Sequence, residues 1–361
     1  MHIGIIGAGQ LGRMLAVSGI PLGMRFTMYD RSRDVPGSAV APVMTGAFDD
    51  LRALKRFARA VDVVTFDWEN VPVASLRAVA KIVPVWPPPR ALEIAQDRHA
   101  EKNLFRRLGI PAAKHAAVDD LRGLRRAVKT LGTPGILKTR RLGYDGRGQV
   151  LLRRPADAAL AWRQLPGQPL IYERFVSFTR EVSLIAARDH AGHIVFYPLA
   201  ENVHENGILA ETRAPYRNLR LQKAAERHLR HLLLELNYVG VLCVEFFVDR
   251  GRLIANEMAP RVHNSGHWTI EGAATSQFEN HVRAIAGLPL GSTRPIGHSV
   301  MRNLIGRMPA ARGALSLPDL HWHNYGKSAR PGRKLGHLTQ VSGTRRESDR
   351  AAIRLRRLVR R

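Results

Sequence analysis

Short apolar runs alternate with helical stretches through the first 90 residues of this chain, then stop at Trp86-Pro-Pro-Pro-Arg90, and that rhythm leaves few folds open. His2–Ile6 runs through Gly7-Ala-Gly-Gln-Leu-Gly12 into the helical stretch Arg13–Ser18. Arg25–Tyr29 predicts a second strand ending at Asp30, Asp49–Ala60 a helix, and Val61–Phe66 a third, buried strand followed by Trp68, Glu69 and Asn70. Ser75–Ala80 and Ile82–Val85 predict one more helix and strand. Such alternation is met by a parallel sheet flanked by helices. Consecutive prolines lack the N–H that either element needs, so a domain boundary is expected there.

Past the boundary, Leu92–Leu108 predicts one helix ending at Gly109, and Leu121–Leu131 another. Gly135–Thr139, Gln149–Arg153 and Leu170–Arg174 are strand candidates, and Glu181–Ala187 with Ile194–Ala200 form a further pair. Gln222–Leu236 is a well-patterned helix. Gly240–Asp249 and Arg252–Met258 predict a hairpin turning at Asp249-Arg250-Gly251, and Phe278–Ala286 a closing helix. From Gly287 onward the chain is basic and punctuated by Gly and Pro.

With 361 residues, two or three domains are expected. The 45% hydrophobic and 24% charged composition excludes a disordered chain. No run approaches the ~18 apolar residues of a membrane span, and the apolar start lacks the basic region of a signal peptide. The single cysteine, Cys243, excludes an internal disulfide and a cysteine-rich metal site. A cytoplasmic enzyme without a membrane partner is the expectation. Lysine and arginine together number 56 against 30 acidic residues, a net charge of +26. That excess favours phosphate-bearing partners. Arginine occurs 47 times and lysine 9 times, spread throughout, with a concentration of eight arginines in Arg345–Arg361. No recognition motif accompanies the charge, so no specific nucleic-acid partner is expected.

Gly7, Gly9 and Gly12, between a strand and a helix, permit close backbone approach to a phosphate. Asp30 sits near where a ribose-binding acid falls in a dinucleotide fold. A plain tight turn fits those glycines as well. Leu142-Gly-Tyr-Asp-Gly-Arg-Gly-Gln149 is different, because its three glycines lie between two strands. It lacks the ending of a P-loop and suits a lid whose amides close over a triphosphate. Lys138, just upstream, is a compact cation for phosphates in a chain that otherwise prefers arginine. Glu245 and Glu257 are nearly symmetric about the hairpin turn. Cross-strand partners lie ~4.5–5.5 Å apart, so two carboxylates there repel unless a cation such as Mg²⁺ sits between them, with Asn256 adding an amide oxygen. Ala259-Pro-Arg-Val-His-Asn-Ser-Gly266 then crowds Arg261, His263, Asn264 and Ser265 into one loop, suited to gripping a carboxylate or bicarbonate. Tyr325-Gly-Lys327 and Arg330-Pro-Gly-Arg-Lys334 offer a basic pocket for a phosphate monoester.

In this order the residues resemble the ATP-grasp superfamily and, more closely, the 5-(carboxyamino)imidazole ribonucleotide synthetases of bacterial purine synthesis. The resemblance runs through Gly7–Met14, Thr65–Pro72, Gln96–Lys102, Lys138–Gln149, Arg180–Ser183, Glu201–Leu209, Val244–Thr269 and Tyr325–His337. Its most specific parts are Tyr144-Asp-Gly-Arg-Gly-Gln149 and Asn256-Glu-Met-Ala-Pro-Arg-Val-His-Asn-Ser-Gly-His-Trp268. Asp67 and Trp68 depart from it, standing where relatives more often carry glutamate and phenylalanine.

The resemblance implies a mixed α/β and α+β ATP-grasp fold. It would have a Rossmann-like preATP-grasp domain over 1–95, an ATP-grasp region over 96–288 (lid about 113–172, core 173–288) and a C-terminal region over 289–361. It implies ATP held by Arg98, Lys138, the lid residues Gly143, Tyr144, Asp145, Gly146, Arg147, Gly148 and Gln149, by Glu173, Arg174, Phe175 and Val176 along the adenine, by Glu181 on the ribose, and by His204, Asn256 and Glu257. Mg²⁺ would sit on Glu245 and Glu257. The aminoimidazole ribonucleotide would meet Glu69, Tyr144, Asp145 and Arg147, with Lys327 and Arg333 on its phosphate. Arg261, His263, Asn264 and Ser265 would face bicarbonate and the reacting amine. Asp145, Arg147, Arg261, His263 and Asn264 are the implied catalytic group, with Asp145 polarising the amine. A homodimer is implied as well. Two other readings stay open: a different ATP-grasp ligase, such as the formate-dependent glycinamide ribonucleotide transformylase, and a nucleotide-binding protein without turnover whose basic surface serves nucleic acid.

Overall fold

The computed structural model describes residues 1–143 and 148–360, which build three sheets in chain order. The first is parallel and made of β1 (His2–Ile6), β2 (Arg25–Asp30), β3 (Val43–Thr45) and β4 (Val63–Phe66), in the order β3-β2-β1-β4. Its strands are nearly continuous apolar runs because helices cover both faces. The second is antiparallel, with β5 (His115–Val118), β6 (Gly135–Thr139), β7 (Gln149–Leu152) and β8 (Leu170–Arg174) in the order β5-β8-β6-β7.

The third and largest sheet is also antiparallel. It contains β9 (Arg180–Arg188), β10 (Ile194–Phe196), β11 (Ala200–Glu205), β12 (Ile208–Ala214), β13 (Gly240–Asp249), β14 (Arg252–Ala259), β15 (His298–Ile305), β16 (Leu320–Asn324) and β17 (Lys334–Ser342). The order is β14-β13-β9-β11-β12-β15-β17-β16, with β10 beside β9.

Helix Gln10–Gly19 packs on helix Gln277–Ile285, so Leu15 of the first helix and Phe26 of β2 share one core with Ile185 of β9, Val241 of β13, Trp268 and Phe278 of the second helix. On the opposite face, helix Leu219–Glu235 buries Leu221, Leu229, Leu232 and Leu233 against β9, β13 and β14. Burial of each such side chain contributes about 1.5–3 kcal/mol. A cleft lies where these layers meet.

Four expectations need correction. Ile82–Val85 is not a strand; a single bridge, Val64 to Val85, is all that forms, while the three-residue β3 is an additional strand too short to show alternation. Leu92–Leu108 is two helices, Pro89–Ala95 and Arg98–Arg107, because the Asp97 carboxylate caps the second by accepting from the N–H groups of His99 and Ala100. Ile194–Ala200 is divided between β10 and β11 at Pro198, which has no N–H to give a ladder. The stretch after Gly287 supplies three strands of the large sheet and a final helix, Arg345–Arg360.

That helix also accounts for part of the arginine-rich tail. Glu211 on β12 is fully buried, and both of its oxygens accept from Arg356, at 2.8 Å each. Arg213 adds a third bond at 2.7 Å. The three hydrogen bonds hold the Glu211 carboxyl below its usual range although burial alone would raise it. No helix among the described residues is long and apolar enough to cross a membrane.

Candidate active site

The glycine turn after β1 is closed from inside the chain. Gly12 N–H donates to Asp67 Oδ2 at 3.0 Å, and a Cβ on Gly7 would lie 1.8 Å from Asp67 Oδ1. Ala8 N–H donates to Asp30 Oδ2 at 2.8 Å. The helix N-terminus that would receive a phosphate therefore receives a carboxylate of the same chain. Burial raises Asp67 to about 6. Asp30 holds the turn, which removes the dinucleotide reading.

Gln10 and Leu11, just beyond that turn, form one wall of a cleft enclosing about 240 Å³ between the N-terminal sheet, helix Arg98–Arg107, the β13–β14 hairpin and the C-terminal strands. Glu245 and Glu257 face each other across the hairpin in register, beside a bulge at Glu245/Phe246. Their environments differ. Arg98 donates from Nη1 to Glu257 Oε2 at 3.0 Å and from Nη2 to the Gly143 carbonyl at 3.0 Å. Burial pushes Glu257 up, but Arg98 outweighs it and holds the carboxyl low. Glu245 is raised to about 7 by burial and by the Glu257 charge. Two hard carboxylates pushed apart in this way fit a divalent cation, which would let both ionise. No group of three or more metal-ligating side chains occurs among the described residues, so open positions on the ion would fall to phosphate oxygens or water.

Lys138, at the end of β6, pairs with Glu173 of β8 at 2.8 Å, both buried. Burial would raise Glu173, yet Lys102 and Lys138 hold it at about 2. The Lys138 pair engages only Oε2 of Glu173; its Oε1 is buried without a hydrogen-bond partner among the described residues. Arg174, on the other face of the strand, donates to the Leu131 carbonyl at 3.2 Å. Phe175 and Val176 remain at the surface of that segment. Glu181 and His204 pair at 3.0 Å; burial lowers the imidazole, but Glu181 and the nearby carboxylates raise it further. Asn256 is half-buried beside Glu257. Gln149 begins β7 directly after Gly148 and lies opposite Lys138. Tyr144, Asp145, Gly146 and Arg147 lie outside the described residues.

In the polar loop, Arg261 pairs with Glu69 at 3.1 Å and Asn264 exchanges two amide hydrogen bonds with Asn303. His263 Nε2 lies 3.5 Å from Glu245 Oε1, and burial followed by the Arg261 charge holds that ring well below the usual histidine range. Ser265 is fully buried behind His263, with its hydroxyl engaged by Ser183 and His263, so it does not face the cleft as expected. Lys327 reaches Gln10 and is lowered to about 8 by burial and by Arg333. Arg333 is partly exposed and donates to Ser328 at 2.8–3.1 Å.

Set against known proteins, this arrangement is not isolated. Residues 1–96 match the ribonucleotide synthetase preATP-grasp domain, 103–278 the ATP-grasp domain, and 299–351 the phosphoribosylaminoimidazole carboxylase C-terminal domain. The N5-carboxyaminoimidazole ribonucleotide synthase of Pseudomonas aeruginosa is 48% identical, over 99% of this chain and 97% of that protein. The chain belongs to the N5-carboxyaminoimidazole ribonucleotide synthase family.

Solved structures of N5-carboxyaminoimidazole ribonucleotide synthases superpose along nearly the whole chain. The Thermus thermophilus synthetase is 48% identical with a TM-score of 0.95, covering 99% of this chain and 98% of that one. The Aspergillus clavatus enzyme, in complex with ADP and 5-aminoimidazole ribonucleotide, is 32% identical with a TM-score of 0.93 over 99% and 98%. Within this synthase cleft, several wall residues carry no motif in the sequence. Arg140 is fixed by two bonds to Asp97, 2.7 and 3.1 Å. Glu101 accepts from Met258 N–H at 2.7 Å, and the Lys102 ammonium donates to the Ala255 and Asn256 carbonyls. Helix Arg98–Arg107 thereby clamps the strand that carries Glu257. The pattern over Leu92–Leu108 signals that helix, but nothing local signals the clamp.

Proposed function

We propose that this chain carboxylates the exocyclic amine of 5-aminoimidazole ribonucleotide, with bicarbonate as the carbon source and ATP as the activator. Supporting the reading is one observation above the others: a carboxylate pair with oppositely displaced ionisation, Glu245 and Glu257, shares a cleft with the Arg261–Glu69 pair and with Lys334. In the first step a bicarbonate oxygen attacks the γ-phosphorus, forming carboxyphosphate and releasing ADP. In the second the amine nitrogen attacks the carboxyl carbon, inorganic phosphate leaves, and the nitrogen gives up a proton.

Glu245 and Glu257 would hold Mg²⁺, which neutralises phosphoryl charge when bound. Lys138 contributes a positive charge held in place by its pair with Glu173. Arg98 ties the lid backbone at Gly143 to Glu257, so lid position and the metal carboxylates are set together. Arg261 and His263 supply donors for the bicarbonate and acyl-phosphate oxygens. Lys327 and Arg333 would anchor the ribonucleotide phosphate away from the chemistry, which lets binding energy orient the amine. Asp145 remains our choice for polarising that amine. The reading extends to a homodimer acting in the cytoplasm, supported by the family resemblance alone.

ADP release with ATP, Mg²⁺, bicarbonate and the ribonucleotide, each omitted in turn, tests the proposal. ADP is expected only with the full set. ADP formed with glycinamide ribonucleotide and formate instead would transfer the chain to another ATP-grasp activity.

A further inference from the structure

Beneath the loop that carries His263, a line of buried polar side chains crosses three neighbouring strands of the large sheet. Thr212 on β12 donates to Asn202 Oδ1 at 3.0 Å, and Asn202 Nδ2 on β11 donates to Ser183 Oγ at 3.0 Å. Ser183 Oγ–H on β9 donates to Ser265 Oγ at 2.8 Å, and Ser265 Oγ lies 2.8 Å from His263 Nδ1. Thr212 and Ser265 are fully buried, Ser183 is 1% exposed and Asn202 5%. Buried hydroxyls and amides are costly unless satisfied, and a chain so complete specifies one arrangement of its members.

The direction of the chain is set at both ends. An amide N–H can only donate, which orients Ser183 toward Ser265. At the other end the backbone N–H of Ser265, also an obligatory donor, points at His263 Nδ1 at 3.3 Å. A nitrogen receiving that donor cannot carry a proton of its own, so Ser265 Oγ–H must donate there too. Gln277, fully buried, holds the same residue by its backbone, accepting from His263 N–H at 2.9 Å and donating to its carbonyl at 2.7 Å.

We propose that Ser265, Ser183 and Asn202 are positioning residues that fix His263 as the Nε2–H tautomer, so that it serves the carboxylation as a hydrogen-bond donor and not as a proton acceptor. The single ring proton then faces the cleft beside Glu245, where an oxygen of bicarbonate or of the acyl phosphate gains a donor that needs no reorganisation during the reaction. This inference rests on the function proposed above, but the tautomer itself is measurable without turnover.

The test is ¹⁵N NMR of the full chain labelled at histidine, with the His263 signals assigned by their loss in His263→Gln. The wild-type ring is expected in the Nε2–H form, and Ser265→Ala and Ser183→Ala are expected to shift it toward a mixture. In kinetics, Ser265→Ala should lower kcat/KM for bicarbonate about tenfold while leaving the KM for ATP unchanged. Glutamine places its amide nitrogen near Nε2 and asparagine near Nδ1, so His263→Gln should retain at least tenfold more activity than His263→Asn. An Nδ1–H ring in the wild type overturns the proposal, as does a tautomer indifferent to both serine variants. An Nε2–H ring in a protein that turns over no ribonucleotide upholds the tautomer and sinks the function.

Discussion

The glycine turn after β1 and the β13–β14 hairpin both bring acidic side chains into buried backbone, and the chain treats them in opposite ways. At the turn, Asp67 and Asp30 answer the N–H groups of Gly12 and Ala8 from within the chain. At the hairpin, Glu245 and Glu257 oppose each other across the ladder, and the Arg98 guanidinium bonds only Glu257. One region has completed its own electrostatics and the other has not. Folding alone would remove such a like-charge pair, so its presence at a cleft wall marks a place where stability has been given up for a ligand.

The sharpest way to break this contrast is Glu245→Gln. ADP formation should fall about 10³-fold, in line with losing a key electrostatic element of a phosphoryl-transfer site, while the melting temperature stays level or rises because a repulsion has gone. A lowered melting temperature with activity intact would make the pair structural. Lys138→Met should reduce both properties, since Glu173 is left charged and buried; breaking such a pair costs about 3–5 kcal/mol. Adding Glu173→Gln should recover the thermal stability without the ATP-dependent activity, as read by calorimetry and ADP release on the same samples.

Asp67→Ala should cost about 1–3 kcal/mol by orphaning the Gly12 N–H, with a smaller loss of activity than Glu245→Gln. Asp67 also gives a pH signature. Its folded-state pKa, about 6, lies above its ordinary value, so the folded form takes up the proton first. Its ionisation weighs against the fold above pH 6, and stability is regained as pH falls from about 6 toward 4. Denaturant melts of wild type and Asp67→Asn should differ by a term that shrinks over that window. The smallest effect on turnover is expected of Arg356→Ala. Glu211 is fully buried and loses two bonds, but it keeps Arg213 and lies near Arg302, so stability should fall by about 1–3 kcal/mol with ADP formation unchanged.

Much of this was legible from local pattern. The β1 turn, the Gly240–Asp249 arm and the symmetry of Glu245 and Glu257 follow from strand alternation about Asp249-Arg250-Gly251, and the register bears that out. What escaped was set by distant partners. Nothing near Asp67 says that it will fill a turn 55 residues earlier, and Ser183, Asn202 and Thr212 are ordinary strand residues until β9, β11 and β12 lie side by side. Ser265 reads as a ligand-facing hydroxyl because it shares a polar loop with Arg261, His263 and Asn264, but it is fully buried. The strands after Gly287 were hidden by turns between them and by the basic residues on their flanks.

The place of those strands has a consequence for how the protein is made. β12 pairs with β15, and β15 with β17, so the largest sheet takes its last members from the far end of the chain. At synthesis rates of about 5–20 residues per second, β12 emerges several seconds before His298 and presents an open edge throughout that interval. Open edges recruit other chains. The parallel sheet can pair its strands as soon as β4 appears, whereas the large sheet keeps an open edge until its final strands arrive. Truncation near Gly287 would therefore yield an aggregating product instead of a smaller soluble one.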